Sequence, residues 1–157
     1  MYPSSDENLN KETDKEVYFF TPSFYPLDNF SAHAIKLWDM RFSTAEHAYQ
    51  WKKFSLSHPN IAEKILDAKS PHSVKIISDE NSMNILSAWH EEKVGVMEEI
   101  LVAKTQQHED VRDALKRTGK KDIIENSPID SFWGNGPQKD GKNMIGKIWM
   151  KIRNTTA

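Results

Sequence analysis

The sequence predicts an α+β fold, mostly helical with a small sheet, and three observations carry that expectation. Apolar residues recur at helical spacing through most of residues 44–117 and again over 143–153. Short β-branched and aromatic runs interrupt them at 17–20, 35–42 and 122–125. No internal repeat or interior linker divides the chain, so 16–157 reads as one domain.

Each element follows from local chemistry. Residues 1–15 are polar and predict a disordered tail, with neither the cationic start nor the apolar run of a signal peptide. A strand over 17–20 gives way to a loop over 21–29, broken by Pro22 and Pro26. A hairpin is expected over 35–42, turning at Trp38-Asp39 without the Asn-Gly or Asp-Gly pair that marks tight turns. Ser43 with Glu46 three residues on reads as a capping box that opens a helix to about residue 55. Further helices are expected over 61–68 and, from Pro71 at a favourable first position, over 71–77. The longest periodic segment, 84–107, aligns Ile85, Trp89, Val96, Ile100 and Ala103. A helix over 110–117 ends at Gly119, a strand covers 122–125, a Gly/Pro-rich loop covers 127–142, and a last helix covers 143–153.

Composition excludes several classes. The 157 residues contain no cysteine, which removes disulfides, thiolate nucleophiles and cysteine zinc sites. A net charge of −2 gives no global field for nucleic acid. No stretch is long and apolar enough to span a membrane, and a cytoplasmic setting is expected. The histidines lack paired metal-ligand spacing, and there is no Walker loop, dinucleotide fingerprint or nucleophile elbow. Neither a metal nor a cofactor is therefore expected. His33, His90 and His108 read as surface residues.

Two constellations carry chemistry. Glu46, Gln50 and Lys53 are spaced i, i+4, i+7 and share one helix face, flanked by Tyr49 and Trp51. A solvated face with ordinary charge pairing has the same spacing. A carboxylate there can stabilise an oxocarbenium-like sugar or activate water, and an unprotonated lysine can attack the sugar carbon. The amine's pKa must then be lowered by burial or nearby charge, while the neighbouring acid favours the ammonium. The second constellation is Asp130-Ser131-Phe132-Trp133-Gly134-Asn135-Gly136, whose glycines let backbone approach a ligand closely. A surface turn with an anchoring tryptophan reads the same way. The loop leads to Gly141-Lys142-Asn143 at a helix start, where backbone N–H groups favour phosphate.

Taken in order, these pieces resemble the NADAR (YbiA-like) family from about residue 17 onward. The resemblance runs through Pro26-Leu27-x-Asn29-Phe30, Glu46-His47-x-x-Gln50-x-x-Lys53, Ser70-Pro71, Trp89 and Thr118-Gly119. It continues through Ile123-Ile124-Glu125, Asp130-x-x-Trp133-Gly134-x-Gly136, Gly141-x-Asn143-x-x-Gly146, Met150 and Arg153. It implies a compact α+β N-glycosidase. The substrates it implies are ADP-ribose attached to guanine, free or in DNA, or a ribosylamino-pyrimidine phosphate of riboflavin synthesis. It further implies Glu46, Lys53 and Asp130 as catalytic groups, with Lys53 the candidate for a covalent imine. Asn29, Phe30, His47, Gln50, Trp89, Trp133, Gly134 and Asn143 would hold the substrate. Where many members carry a Leu-Gly-Arg-like segment, this chain has Ile76-Ile77-Ser78, with Lys75 as a nearby point charge. Where many carry an aromatic after Lys104, it has Thr105. A non-catalytic ADP-ribose-binding module uses the same residues and differs by the absence of turnover.

Overall fold

A computed structural model describes residues 9–21 and 25–156. The order is β1 (Lys11–Glu12), β2 (Glu16–Phe19), β3 (Ile35–Leu37), β4 (Met40–Phe42), α1 (Ala45–Phe54), α2 (Pro59–Asp67) and α3 (Pro71–Glu80). A single 3₁₀ turn (Ser82–Asn84) precedes α4 (Trp89–Gln107), α5 (Glu109–Arg117), β5 (Asp122–Glu125) and α6 (Met144–Thr155). The α+β expectation holds. The chain forms two compact units: Met1–Asp28 with Glu109–Ala157, here unit 1, and Asn29–His108, here unit 2.

Unit 1 is built on a three-stranded sheet in the order β1-β2-β5. β2 runs antiparallel to β1, with Lys11 opposite Tyr18, and parallel to β5, with Val17 opposite Ile123. Val17 and Phe19 are buried while Glu16 and Tyr18 are only partly covered, the alternation of a strand with one core face. β1 corrects the predicted tail: Lys11 and Glu12 enter the sheet, while 1–8 lie outside the described residues. Thr13 makes this possible by accepting the backbone N–H of Glu16 through its hydroxyl at 2.9 Å, which closes the β1–β2 turn. Residues 11 and 12 are both exposed, so they leave no hydrophobic pattern to read.

α6 packs on β5, and its Ile145, Ile148, Trp149 and Ile152 are buried. The Trp149 indole donates to the Leu27 carbonyl at 3.0 Å, so the ring is buried without an orphaned N–H. At Gly146 the helix comes so close to β5 that a Cβ would stand 2.0 Å from the Ile123 carbonyl.

Unit 2 gathers α2, α3 and α4 around α1. Phe54, Ala62, Ile65 and Val74 form a buried cluster, with Trp51, Ile61, Ala68, Ile77 and Ile85 packed against it. The helix boundaries correct the sequence reading at several points, with α2 beginning at Pro59 and α3 running on to Glu80. Thr44, not Ser43, caps α1: its hydroxyl accepts the His47 N–H at 3.2 Å. The 3₁₀ turn, absent from the sequence reading, delays α4 to Trp89.

The β3–β4 turn is tight despite its sequence. Trp38 and Asp39 both take left-handed φ, 52° and 58°, the geometry of a two-residue hairpin. A tryptophan is held there by its surroundings. Its ring stacks on Trp51 at 6.2 Å, meets Phe42 edge-on at 6.0 Å, and carries the Lys52 ammonium at 4.7 Å. His33 and His108 correct the surface reading as well. Both are partly buried, their rings lie edge to face at 4.9 Å, and the His108 Nε2 donates to the Ala34 carbonyl at 2.6 Å.

Candidate functional site

The α1 stripe exists, and it is buried. Glu46 and Gln50 are 6% and 4% exposed. Acidic groups are rarely buried unless paired, so a solvated face is not their setting. Gln50 Nε2 donates to Glu46 Oε1 at 2.7 Å, which holds the carboxylate along the helix. The Glu46 N–H donates to the Asn29 carbonyl at 3.2 Å and brings the Asn29-Phe30 loop to the start of the same helix. The Asn29 amide donates to Met97 Sδ at 3.4 Å. Phe30 packs edge-on against the His72 ring at 5.1 Å.

Lys53 lies one turn beyond Gln50. Its ammonium sits 5.2 Å from the centre of the Tyr49 ring and donates to Ser78 Oγ at 3.2 Å. Tyr49 in turn packs on Trp89, with centroids 5.3 Å apart. Burial lowers the Lys53 pKa from 10.5 to about 8, against the Glu46 charge, which pulls it up. The conflict posed by an acid beside the amine is thus resolved in favour of desolvation.

Three buried polar atoms attached to this framework have no hydrogen-bond partner: Asn29 Oδ1, Gln50 Oε1 and Trp89 Nε1. Each unmet group costs about 1–3 kcal/mol. Two acceptors and one donor suit a ligand that offers hydroxyls together with an acceptor oxygen, the polar set of a sugar.

His47 has another task. Its Nε2 donates to the Ala68 carbonyl at 2.8 Å, which leaves Nδ1 to accept from the Thr44 hydroxyl at 2.8 Å. Burial lowers its pKa, opposed by the bond to Ala68. With both nitrogens engaged, the imidazole ties the start of α1 to the end of α2 and has no nitrogen left for a substrate.

Ser78 is the residue that sequence reasoning missed. It occupies the segment where the chain departs from the pattern it otherwise resembles and is 2% exposed. Lys75, the nearby point charge, pairs with Asp79 at 2.8 Å. Thr105 donates to the Leu101 carbonyl at 2.7 Å inside α4. Ser78 accepts from Lys53 and so favours its charged form. Ser78→Ala should therefore move any activity limb governed by Lys53 to lower pH, measurable in a pH–rate profile.

The second constellation lies in unit 1, and its geometry is largely self-directed. Asp130 Oδ1 accepts the N–H groups of Phe132 and Trp133 at 2.9 and 2.8 Å. Trp133 is partly buried and meets Phe132 edge-on at 4.9 Å. A Cβ on Gly134 would meet the Glu125 carbonyl at 2.7 Å, so this glycine serves close approach to β5, where the sequence suggested a ligand. Asn143 stands at a left-handed φ of 49°. Its Oδ1 accepts from the Glu125 N–H at 3.0 Å and its Nδ2 donates to the Ile123 carbonyl at 2.8 Å. Both ends of the amide are thus committed to β5.

The phosphate site expected at the start of α6 is overturned. The N–H groups of Asn143, Met144 and Ile145 donate to the carbonyls of Gly134, Phe132 and Trp133 at 3.0, 3.0 and 3.1 Å. The loop caps the helix itself. Asp130→Ala should cost about 1–2 kcal/mol in chemical denaturation, and Asp130→Asn should retain most of that stability because its amide oxygen still accepts both N–H groups.

The chain is similar to known proteins over nearly its whole length. The NADAR domain model matches residues 9–156. An N-glycosidase of Nostoc punctiforme is 36% identical over 140 residues, 87% of this chain and 90% of that protein. The Escherichia coli N-glycosidase YbiA is 28% identical over 151 residues, 96% of this chain and 93% of that protein. The NMR structure of YbiA gives a TM-score of 0.80 over 94% of this chain and 88% of that one. A riboflavin biosynthesis protein of Vibrio vulnificus is 30% identical over 142 residues, 89% of this chain but 38% of that longer protein. With the ordered motifs, the buried α1 stripe and a domain match over nearly its whole length, this chain belongs to the NADAR domain family.

Proposed function

We propose that this N-glycosyl hydrolase cleaves a ribose C1–N bond and that its substrate is ADP-ribose linked to guanine, free or in DNA. The observation that carries the reading is a buried acid and a half-buried amine on one helix face, with the amine lowered to about 8. Such a pairing is costly for stability alone and useful for glycoside chemistry.

In the proposed reaction the neutral Lys53 Nζ attacks C1. The C1–N bond breaks with its electron pair passing to the base nitrogen, while Glu46 stabilises the positive charge on the sugar. Glu46 then relays a proton from Nζ to the departing base. Ring opening moves the remaining Nζ proton to the ring oxygen and leaves an imine. Water adds to C1, Nζ departs, and the sugar recloses as free ADP-ribose. The net change is water plus glycoside giving sugar plus base.

The unpartnered Asn29 Oδ1, Gln50 Oε1 and Trp89 Nε1 support a sugar at this place. A base in duplex DNA would first have to leave the stack. A second reading, a ribosylamino-pyrimidine phosphate, is favoured by the similarity to a riboflavin biosynthesis protein. Product analysis by chromatography with both substrates tests the choice. Turnover of the pyrimidine with the guanine conjugate left intact would replace the first reading with the second.

A further inference from the structure

Unit 1 contains a cleft of about 430 Å³ that the chemistry above does not use. Lys11 and Tyr18 supply one wall from β1 and β2, and β5 supplies Ile124. Asn126, Asn135 and Lys139 come from the loop between β5 and α6. The volume is that of a small-molecule site.

The charge lining this cleft has one sign. Two ammonium groups face it and, among the described residues, no carboxylate lines it. The nearby Glu12 pairs with Lys121 at 2.6 Å. Burial, then Glu16 and Asp122, raise the Tyr18 phenol, but neither acid reaches the lining. Both cations are held in place by neutral groups. The Lys11 ammonium stands 4.8 Å from the centre of the Tyr18 ring, and the Lys139 ammonium donates to Asn126 Oδ1 at 3.0 Å. Cations gathered in a cleft without an acid focus a field that draws an anion.

A second observation narrows the ligand. Asn135 is 7% exposed and its Nδ2 donates to Asn126 Oδ1 at 3.0 Å, while its own Oδ1 is buried without a partner. The amides around it are engaged elsewhere: Asn126 Nδ2 donates to the Leu9 carbonyl at 3.1 Å, and the Asn143 amide bonds β5 through both ends. A bare anion would meet the lysines and leave Asn135 unmet. A molecule with both a phosphate and a hydroxyl meets all three, and the two ammonium groups match the double charge of a phosphate monoester better than a carboxylate.

We infer that unit 1 binds a small phosphate monoester bearing a hydroxyl, of the sugar-phosphate class, with the phosphate on Lys11 and Lys139 and the hydroxyl donating to Asn135. Glucose 6-phosphate is the probe of choice, because it has no C1–N bond for the glycosidase site to cleave. The full chain, labelled with ¹⁵N, is titrated with glucose 6-phosphate, glucose and inorganic phosphate while backbone amide shifts are followed. Saturable shifts at Lys11, Tyr18, Asn126 and Asn135 are expected with glucose 6-phosphate, and affinity lower by about tenfold or more with either fragment. Lys11→Ala combined with Lys139→Ala should weaken binding by about tenfold or more and leave N-glycoside turnover unchanged. Asn135→Asp, nearly the same shape with a repelling charge, should weaken it too. The inference is overturned by an absence of saturable shifts in the cleft at tens of millimolar, by shifts that persist in the double variant, or by equal saturation with inorganic phosphate.

Discussion

Lys53→Ala should lower N-glycoside turnover by on the order of 10³-fold or more with the fold intact. The fold should survive because the side chain is only half-buried and its ammonium makes its hydrogen bond to Ser78. Removing it also relieves the desolvation that lowers its pKa to about 8. That depressed value carries a stability consequence of fixed sign. A lysine lowered in the folded state binds fewer protons there than when unfolded, so stability should rise as pH rises from about 8 towards 10.5. Lys53→Ala should abolish this rise, which denaturation at two pH values will show. Activity should follow the neutral amine, about a tenth of the population at pH 7 and about half at pH 8. Borohydride reduction during turnover should fix the sugar on Lys53, and mass spectrometry should find the adduct on that residue. If water attacks directly, no adduct forms and the limb near pH 8 is absent.

Glu46→Gln should have the second-largest effect, a fall of about 10²–10⁴-fold in plateau rate. The replacement keeps the shape and the hydrogen bond to Gln50 and removes the charge that balances a cationic sugar. It should also shift the profile. Glu46 raises the Lys53 pKa against burial. Without the anion the amine loses its proton more readily, so the rising limb should move below about pH 8. A lower plateau with an unmoved limb would separate Glu46 from Lys53 and contradict the coupling between them.

The site was legible in sequence to the extent that it obeys helical geometry. The i, i+4, i+7 spacing of Glu46, Gln50 and Lys53 needs only a helix, and the capping signal placed that helix within a residue. Burial of the face was not legible, because one polar stripe looks the same in water and in a pocket. Ser78 was invisible for a related reason: its role depends on α3 lying against α1, a tertiary fact. The α6 phosphate expectation failed because sequence supplies helix N–H donors without saying that Gly134, Phe132 and Trp133 will consume them. His47 and Asn143 fit their family motif, and their hydrogen bonds hold α1 and β5 in place. The strand over 122–125 was read to the residue because an apolar pair sits between two acidic residues. β1 is two exposed residues long and became a strand through pairing with β2.

The most direct measurement of the central claim is incubation of the purified protein with ADP-ribosyl-guanosine, following both products by mass spectrometry. The account predicts stoichiometric release of free ADP-ribose and unmodified guanosine, dependent on Lys53 and Glu46. An intact conjugate, or release that proceeds equally in the Lys53→Ala and Glu46→Ala variants, would contradict it.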